Sequence, residues 1–137
     1  MSWWLAGLIA GLAAWFADFF LWTKVFTKGM DEYMTKPPAG QAVNMSPMMV
    51  KSALLSLVFG VLLAFLYSRF MGSLWVQGGG VLAGMEFATV LWLPTIALST
   101  VGTGVWYDRV RALMNATFWA WLIRMNVAGI VVGLLVK

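Results

Sequence analysis

The sequence predicts an all-α integral membrane protein, a bundle of four helices with antiparallel neighbours, on three observations. It is 62% hydrophobic and only 10% charged over 137 residues, whereas soluble domains run nearer half apolar and a quarter charged. Its apolar residues fall into four runs, each near the ~20 residues that a helix needs to cross a bilayer. Only one connection between these runs is long. A water-soluble chain of this size could not hide so much apolar surface, and there is no polar head or tail of domain size, so the chain reads as a single transmembrane domain.

The first run covers about 3–23, and Trp3 opens it directly. No basic residue precedes it and it is too long for a signal-peptide core, so it is expected to be a membrane span. The others cover about 52–71, 79–100 and 112–136. The connection 24–51 carries Pro37, Pro38, Gly40, Asn44 and Pro47, which favour turns and break helix. Within it Met30, Tyr33 and Met34 are spaced like a short interfacial helix, with Lys28, Asp31 and Lys36 around them. The second and third connections are short, so spans two, three and four are expected to pack as sequential neighbours.

Charge sets an expected orientation. Lys24, Lys28, Lys36, Lys51, Arg109 and Arg111 fall on one side, against Arg69 and Lys137 on the other. The positive-inside rule then places the basic loops in the cytoplasm and both termini outside. Trp3, Trp4, Tyr67, Trp75, Trp106 and Tyr107 fall at span ends, as an aromatic belt does. The net charge of +4 reads as topology signal, with no nucleic-acid footprint.

There is no cysteine and no histidine. That excludes disulfides, thiolate chemistry, zinc sites, histidine-ligated haem and histidine acid–base catalysis. Gly78, Gly79 and Gly80 lack the Lys-Ser/Thr continuation of a phosphate loop and read as a turn into span three. No cofactor is evident, although aromatic surfaces suit contact with lipid or pigment. Only acids remain for catalysis, and no constellation of them suggests a reaction, so a non-enzyme is expected.

Stripes of small and polar residues mark the helix faces. Span one carries Gly7, Gly11, Ala14 and Asp18; span two carries Ser52, Ser56, Gly60 and Tyr67. Span three carries Gly79, Glu86, Leu93, Ala97, Thr100 and Gly104; span four carries Asn115, Trp119, Leu122, Asn126, Gly129 and Gly133. In lipid, helices associate by close backbone approach at small residues. The stripes either hold one bundle together or receive a partner. Span four has a second polar face around Arg124, Thr117 and Ala128. It is therefore expected either at the centre of the bundle or pressed against another subunit.

Asp18, Glu86 and Arg124 lie inside the apolar runs, at a cost of at least ~2.5 kcal/mol for an Asp or Arg near a helix centre. Counting helical rise, Glu86 lies ~10 Å from the outer surface and Arg124 ~20 Å from the cytoplasmic one, so the two are expected to form an ion pair near Asn126. Asp18, ~22 Å from the outer surface, matches the depth of Asn115 and is a candidate proton or polar site. Pro94 in mid-span three removes a hydrogen bond and predicts a kink, with Thr89, Thr95, Ser99 and Thr100 available to re-satisfy the backbone.

The opening Trp3-Trp4-Leu5-Ala6, the long first loop, Leu91-Trp92-Leu93, Trp106-Tyr107-Asp108-Arg109 and Leu113-Met114-Asn115-Ala116 together resemble a domain-of-unknown-function family of small four-span bacterial membrane proteins. That resemblance implies a four-span fold and a bacterial inner membrane. The chain departs from it by carrying Glu86 and Arg124 in the membrane and by lacking histidine. It is also similar in size to small multidrug-resistance exporters, which carry an acid in span one but nearer its middle. The membrane glutathione-transferase-like family is less similar, because 51–69 lacks its arginine- and glutamate-rich signature. The functional expectation is an accessory or scaffold subunit of a larger membrane complex, bound to other membrane subunits or to itself. The alternative is a small proton- or cation-coupled transporter working as a homo-oligomer through Asp18.

Overall fold

The computed structural model describes residues 1–28, 30–33, 39–40 and 45–137. Four long apolar helical rods make an all-α membrane bundle, at Trp3–Val25, Ser46–Ser73, Val81–Trp106 and Asp108–Leu135. The first comprises α1 (Trp3–Phe20) and a π-helical turn at Leu21–Val25. The second is α2 (Ser46–Phe70) with a closing 3-10 turn. The third is α3 (Val81–Trp92), a π-helical turn at Leu93–Ala97 and α4 (Leu98–Trp106). The fourth is a 3-10 turn followed by α5 (Arg111–Leu135).

Span two begins well before residue 52. Pro47 was expected to break helix, but it stands in the first turn of α2, where a missing N–H costs nothing. Asp31–Tyr33 forms one 3-10 turn in the first connection. The rest of that expected interfacial helix, Met34 and Lys36, lies outside the described residues, as do Pro37, Pro38 and Asn44.

Packing follows two glycine seams. In the hairpin of spans one and two, a Cβ on Gly7 would lie 2.6 Å from Val61 Cα, and one on Gly11 would lie 2.5 Å from the Ser56 carbonyl. A Cβ on Gly60 would collide with the backbone at Gly7 and Gly11. In the hairpin of spans three and four, Gly84 faces Gly129, and Gly133 faces Gly80 and Gly84. There the Gly80 N–H donates to the Gly133 carbonyl at 2.8 Å. The seam of span three therefore runs through Gly80, Gly84 and Ala88 rather than Gly79, Glu86 and Leu93.

Spans one and four then pack on each other, which joins the hairpins. Ala6, Ala10 and Ala14 are fully buried, as are Ala128 and Val132 of span four. Small side chains let α1 approach α5 closely. Span four also contacts spans two and three, so it is the central rod, although Asn115 and Trp119 at one end of its first polar face stay exposed. Spans two and three are not extensive neighbours, contrary to expectation. They meet at the end that carries the termini, where the Tyr67 and Phe87 rings stack edge-on at 5.4 Å. Tyr67 is fully buried and so does not belong to the aromatic belt, whereas Trp75 and Trp106 are exposed.

Pro94 lies in the π-helical turn of span three. A proline cannot donate to the preceding turn, and a wider turn absorbs the missing bond. The Thr95 hydroxyl donates to the Leu91 carbonyl at 2.6 Å, and the Thr100 hydroxyl to the Ile96 carbonyl at 2.9 Å. At this level Trp92 packs edge-on against Phe118 with ring centres 4.7 Å apart.

Candidate functional site

The most polar point inside the bundle joins spans one, two and four. Arg124 Nη1 lies 3.2 Å from Asp18 Oδ2, a hydrogen-bonded ion pair. Arg124 Nη2 donates to Ser56 Oγ at 3.1 Å, and Ser56 Oγ donates in turn to the Gly11 carbonyl at 2.9 Å. The guanidinium also stacks on Trp121 and Phe59, at 4.5 and 5.0 Å from the ring centres. Those two rings pack edge-on against each other. The Arg124 side chain retains 12% of its exposure and Asp18 24%, so the pair is largely shielded.

Local structure explains the convergence. Asp18 stands seven residues after Gly11, two full turns along the face that meets span two. Ser56 is fully buried because it stands where Gly11 lets the backbones touch. Its hydroxyl bridges one backbone carbonyl and one guanidinium. Arg124 carries a hydrophobic stem and a flat cation suited to aromatic faces. A bare charge is costly in lipid, and here it is neutralised, hydrogen-bonded and covered.

The expected Glu86–Arg124 pair is not formed. Depth alone had suggested it, but azimuth decides. Gly84 and Gly129 touch and fix the facing sides of spans three and four. At about 100° per residue, Glu86 then points ~160° away from Gly84, and Arg124 ~140° away from Gly129. The two side chains leave on opposite sides of the seam. Glu86 instead accepts the Trp75 and Val76 N–H groups at 2.7 and 2.8 Å, and so holds the turn between spans two and three. Asn126 bonds Thr89 of span three at 3.3 Å and the Leu122 carbonyl at 2.9 Å, away from Arg124.

Asp18 and Asn115 share no hydrogen bond among the described residues. Asn115 lines an open groove of 790 Å³ between α4 and α5, with Val101, Gly104, Val105, Phe118 and Trp119. At its mouth Asp108 and Arg111 form an ion pair, and Arg111 Nε donates to the Gly104 carbonyl at 3.2 Å. Beside it the Tyr33 hydroxyl donates to the Arg109 carbonyl, which ties the first connection to the third. The neighbouring Glu32, by hydrogen bonding and by its charge, holds the Tyr33 phenol above the usual tyrosine range.

Sequence marks Ser56 only as a packing residue, by its four-residue spacing from Gly60; its bond to Arg124 emerges only from the fold. Gly84 was missed altogether, although Gly80, Gly84 and Ala88 also stand four apart. Among the described residues no group of three or more acidic side chains could hold a metal ion.

These features define a four-span helical membrane protein in which Asp18 and Arg124 pair with each other and Glu86 is held by backbone N–H groups. Compared with family models, curated proteins and solved structures, the chain matches none.

Proposed function

We propose that this chain is a non-catalytic scaffold or accessory subunit of a larger membrane assembly, seated in a bacterial inner membrane with its termini outside and its basic loops in the cytoplasm. The observation that carries this reading is the use made of the intramembrane charges. Asp18 and Arg124 neutralise each other across spans one and four, and Glu86 is bound to backbone N–H groups of a turn. Groups that would do chemistry or carry ions are occupied in fixing helix positions. Backbone contact along both glycine seams also opposes the sliding that a carrier needs. What the bundle offers to others is its broad apolar outer face, with Phe16, Phe20, Leu55 and Leu82 each more than half exposed.

The experiment is native mass spectrometry after extraction in a mild detergent. The scaffold reading expects a stoichiometric protein partner or a defined homo-oligomer. A lone monomer under every mild condition contradicts it.

One observation favours a second reading, a proton-coupled carrier. Asp18 keeps twice the fractional exposure of its partner, so its carboxylate is the more accessible member of the pair. Flux into liposomes should then fall in Asp18→Asn. Equal flux in both proteins removes Asp18 from any transport mechanism.

A further inference from the structure

We propose that the groove between α4 and α5 is a binding site for one anionic phospholipid, with an acyl chain between the helices and the phosphate against Arg109 and Arg111. The inference does not depend on the scaffold reading.

Length selects the class of occupant. On α5 the groove runs from Arg111 to Trp119, about 12 Å of helix rise. A single leaflet of hydrocarbon is about 15 Å thick, half of the ~30 Å core that a transmembrane helix must span. The groove therefore suits a chain from one leaflet and is too short to seat a crossing helix along its length.

Polarity along the groove selects the lipid. Its deeper walls are Val101, Phe118 and Trp119. Gly104 contributes no side chain, and a Cβ there would meet its nearest atom, Met114 Cβ, at 3.7 Å, so the floor is open. The Asn115 side chain makes no hydrogen bond among the described residues, although it lies within a span. It stands one turn, about 6 Å, deeper than Arg111 on the same face. A glycerophospholipid presents its groups in that order, phosphate first and ester carbonyls below. The Asn115 amide can donate to an ester carbonyl, and the guanidinium can bind phosphate.

Charge selects the headgroup. The segment 108–111 holds Arg109 and Arg111 against one acid, Asp108, so it carries an excess positive charge. The Gly104 carbonyl holds Arg111 Nε at 3.2 Å, which fixes the guanidinium at the rim before any ligand arrives. An anionic phosphodiester with no compensating amine satisfies that excess, and a zwitterionic headgroup brings its own cation.

The test is native mass spectrometry of the full chain in neutral detergent, with phosphatidylglycerol and phosphatidylcholine of matched acyl chains at equal concentration. The expected result is retention of one phosphatidylglycerol in preference to phosphatidylcholine, by at least about fivefold per contributing arginine. Arg109→Gln with Arg111→Gln should bring the ratio to about one, and Arg69→Gln at the opposite end should leave it unchanged. Val101→Trp, which fills the groove, should abolish retention of both lipids while circular dichroism stays helical, so the test survives if the double variant does not fold. Equal retention of the two lipids overturns the proposal. So does a preference that survives loss of both arginines, phosphatidylglycerol still bound to Val101→Trp, or displacement of the lipid by inorganic phosphate alone.

Discussion

The two hairpins use the same device and finish differently. Spans one and two touch through Gly7, Gly11 and Gly60, and polar contacts continue the seam through Ser56 and on to Trp15, whose indole donates to Ser52 at 3.1 Å. Spans three and four touch as closely at Gly84, Gly129 and Gly133, but beyond the π-helical turn at Leu93–Ala97 they part and leave the groove. The small residues set how near two helices come. The proline-bearing turn sets how far along that approach lasts. The tight ends hold the bundle together, and the parted end leaves a groove of 790 Å³.

The contrast can be broken most forcefully at the seams. Gly60→Leu and Gly84→Leu each place side-chain atoms inside facing backbone, and both should abolish the folded protein in detergent, read as loss of a monodisperse elution peak. Removing one member of the buried ion pair comes next. Arg124→Gln or Asp18→Asn should each cost about 3–5 kcal/mol in unfolding measured in mixed micelles, because the remaining charge stays buried without its partner.

In the groove the sign should reverse. A Cβ on Gly104 meets Met114 Cβ at 3.7 Å, ordinary contact, so Gly104→Ala should be neutral or stabilise by up to about 1 kcal/mol. Gly84→Ala should destabilise, and equal effects at the two glycines would remove the contrast. The smallest effect belongs to the loops. Tyr33→Phe should show only as faster proteolysis of the first connection. Because the Tyr33 phenol is held above its ordinary value, the folded state favours its protonated, donating form. The clasp should be intact at neutral pH and be lost only as pH rises through that raised value.

Much of this architecture was legible in the chain. Run length and composition located four spans, because lipid demands continuous apolar helix. The two polar faces of span four pointed to a central place, which the rod occupies by meeting span three through Gly129 and span one through Arg124. What sequence could not supply was rotation. Depth along an axis can be counted from one residue to the next, but azimuth depends on which faces touch, and that turned on Gly84. With Gly84 unrecognised, Glu86 and Arg124 were left at similar depth with nothing to separate them. Asp18 lost its partner for the same reason, since the reach of an arginine across three helices is not written in local spacing. The groove at Asn115 was illegible too, because it depends on how closely α4 and α5 approach, which no local spacing sets.

The central claim is that span four turns Arg124 toward spans one and two while Gly129 faces span three. Double-mutant cycles of unfolding free energy test it most directly, with Asp18→Asn and Arg124→Gln in one cycle and Glu86→Gln and Arg124→Gln in the other. The arrangement predicts a coupling of about 1–3 kcal/mol for Asp18 with Arg124, and additivity within about 0.5 kcal/mol for Glu86 with Arg124. Strong coupling of Glu86 with Arg124, together with additivity for Asp18, would contradict it.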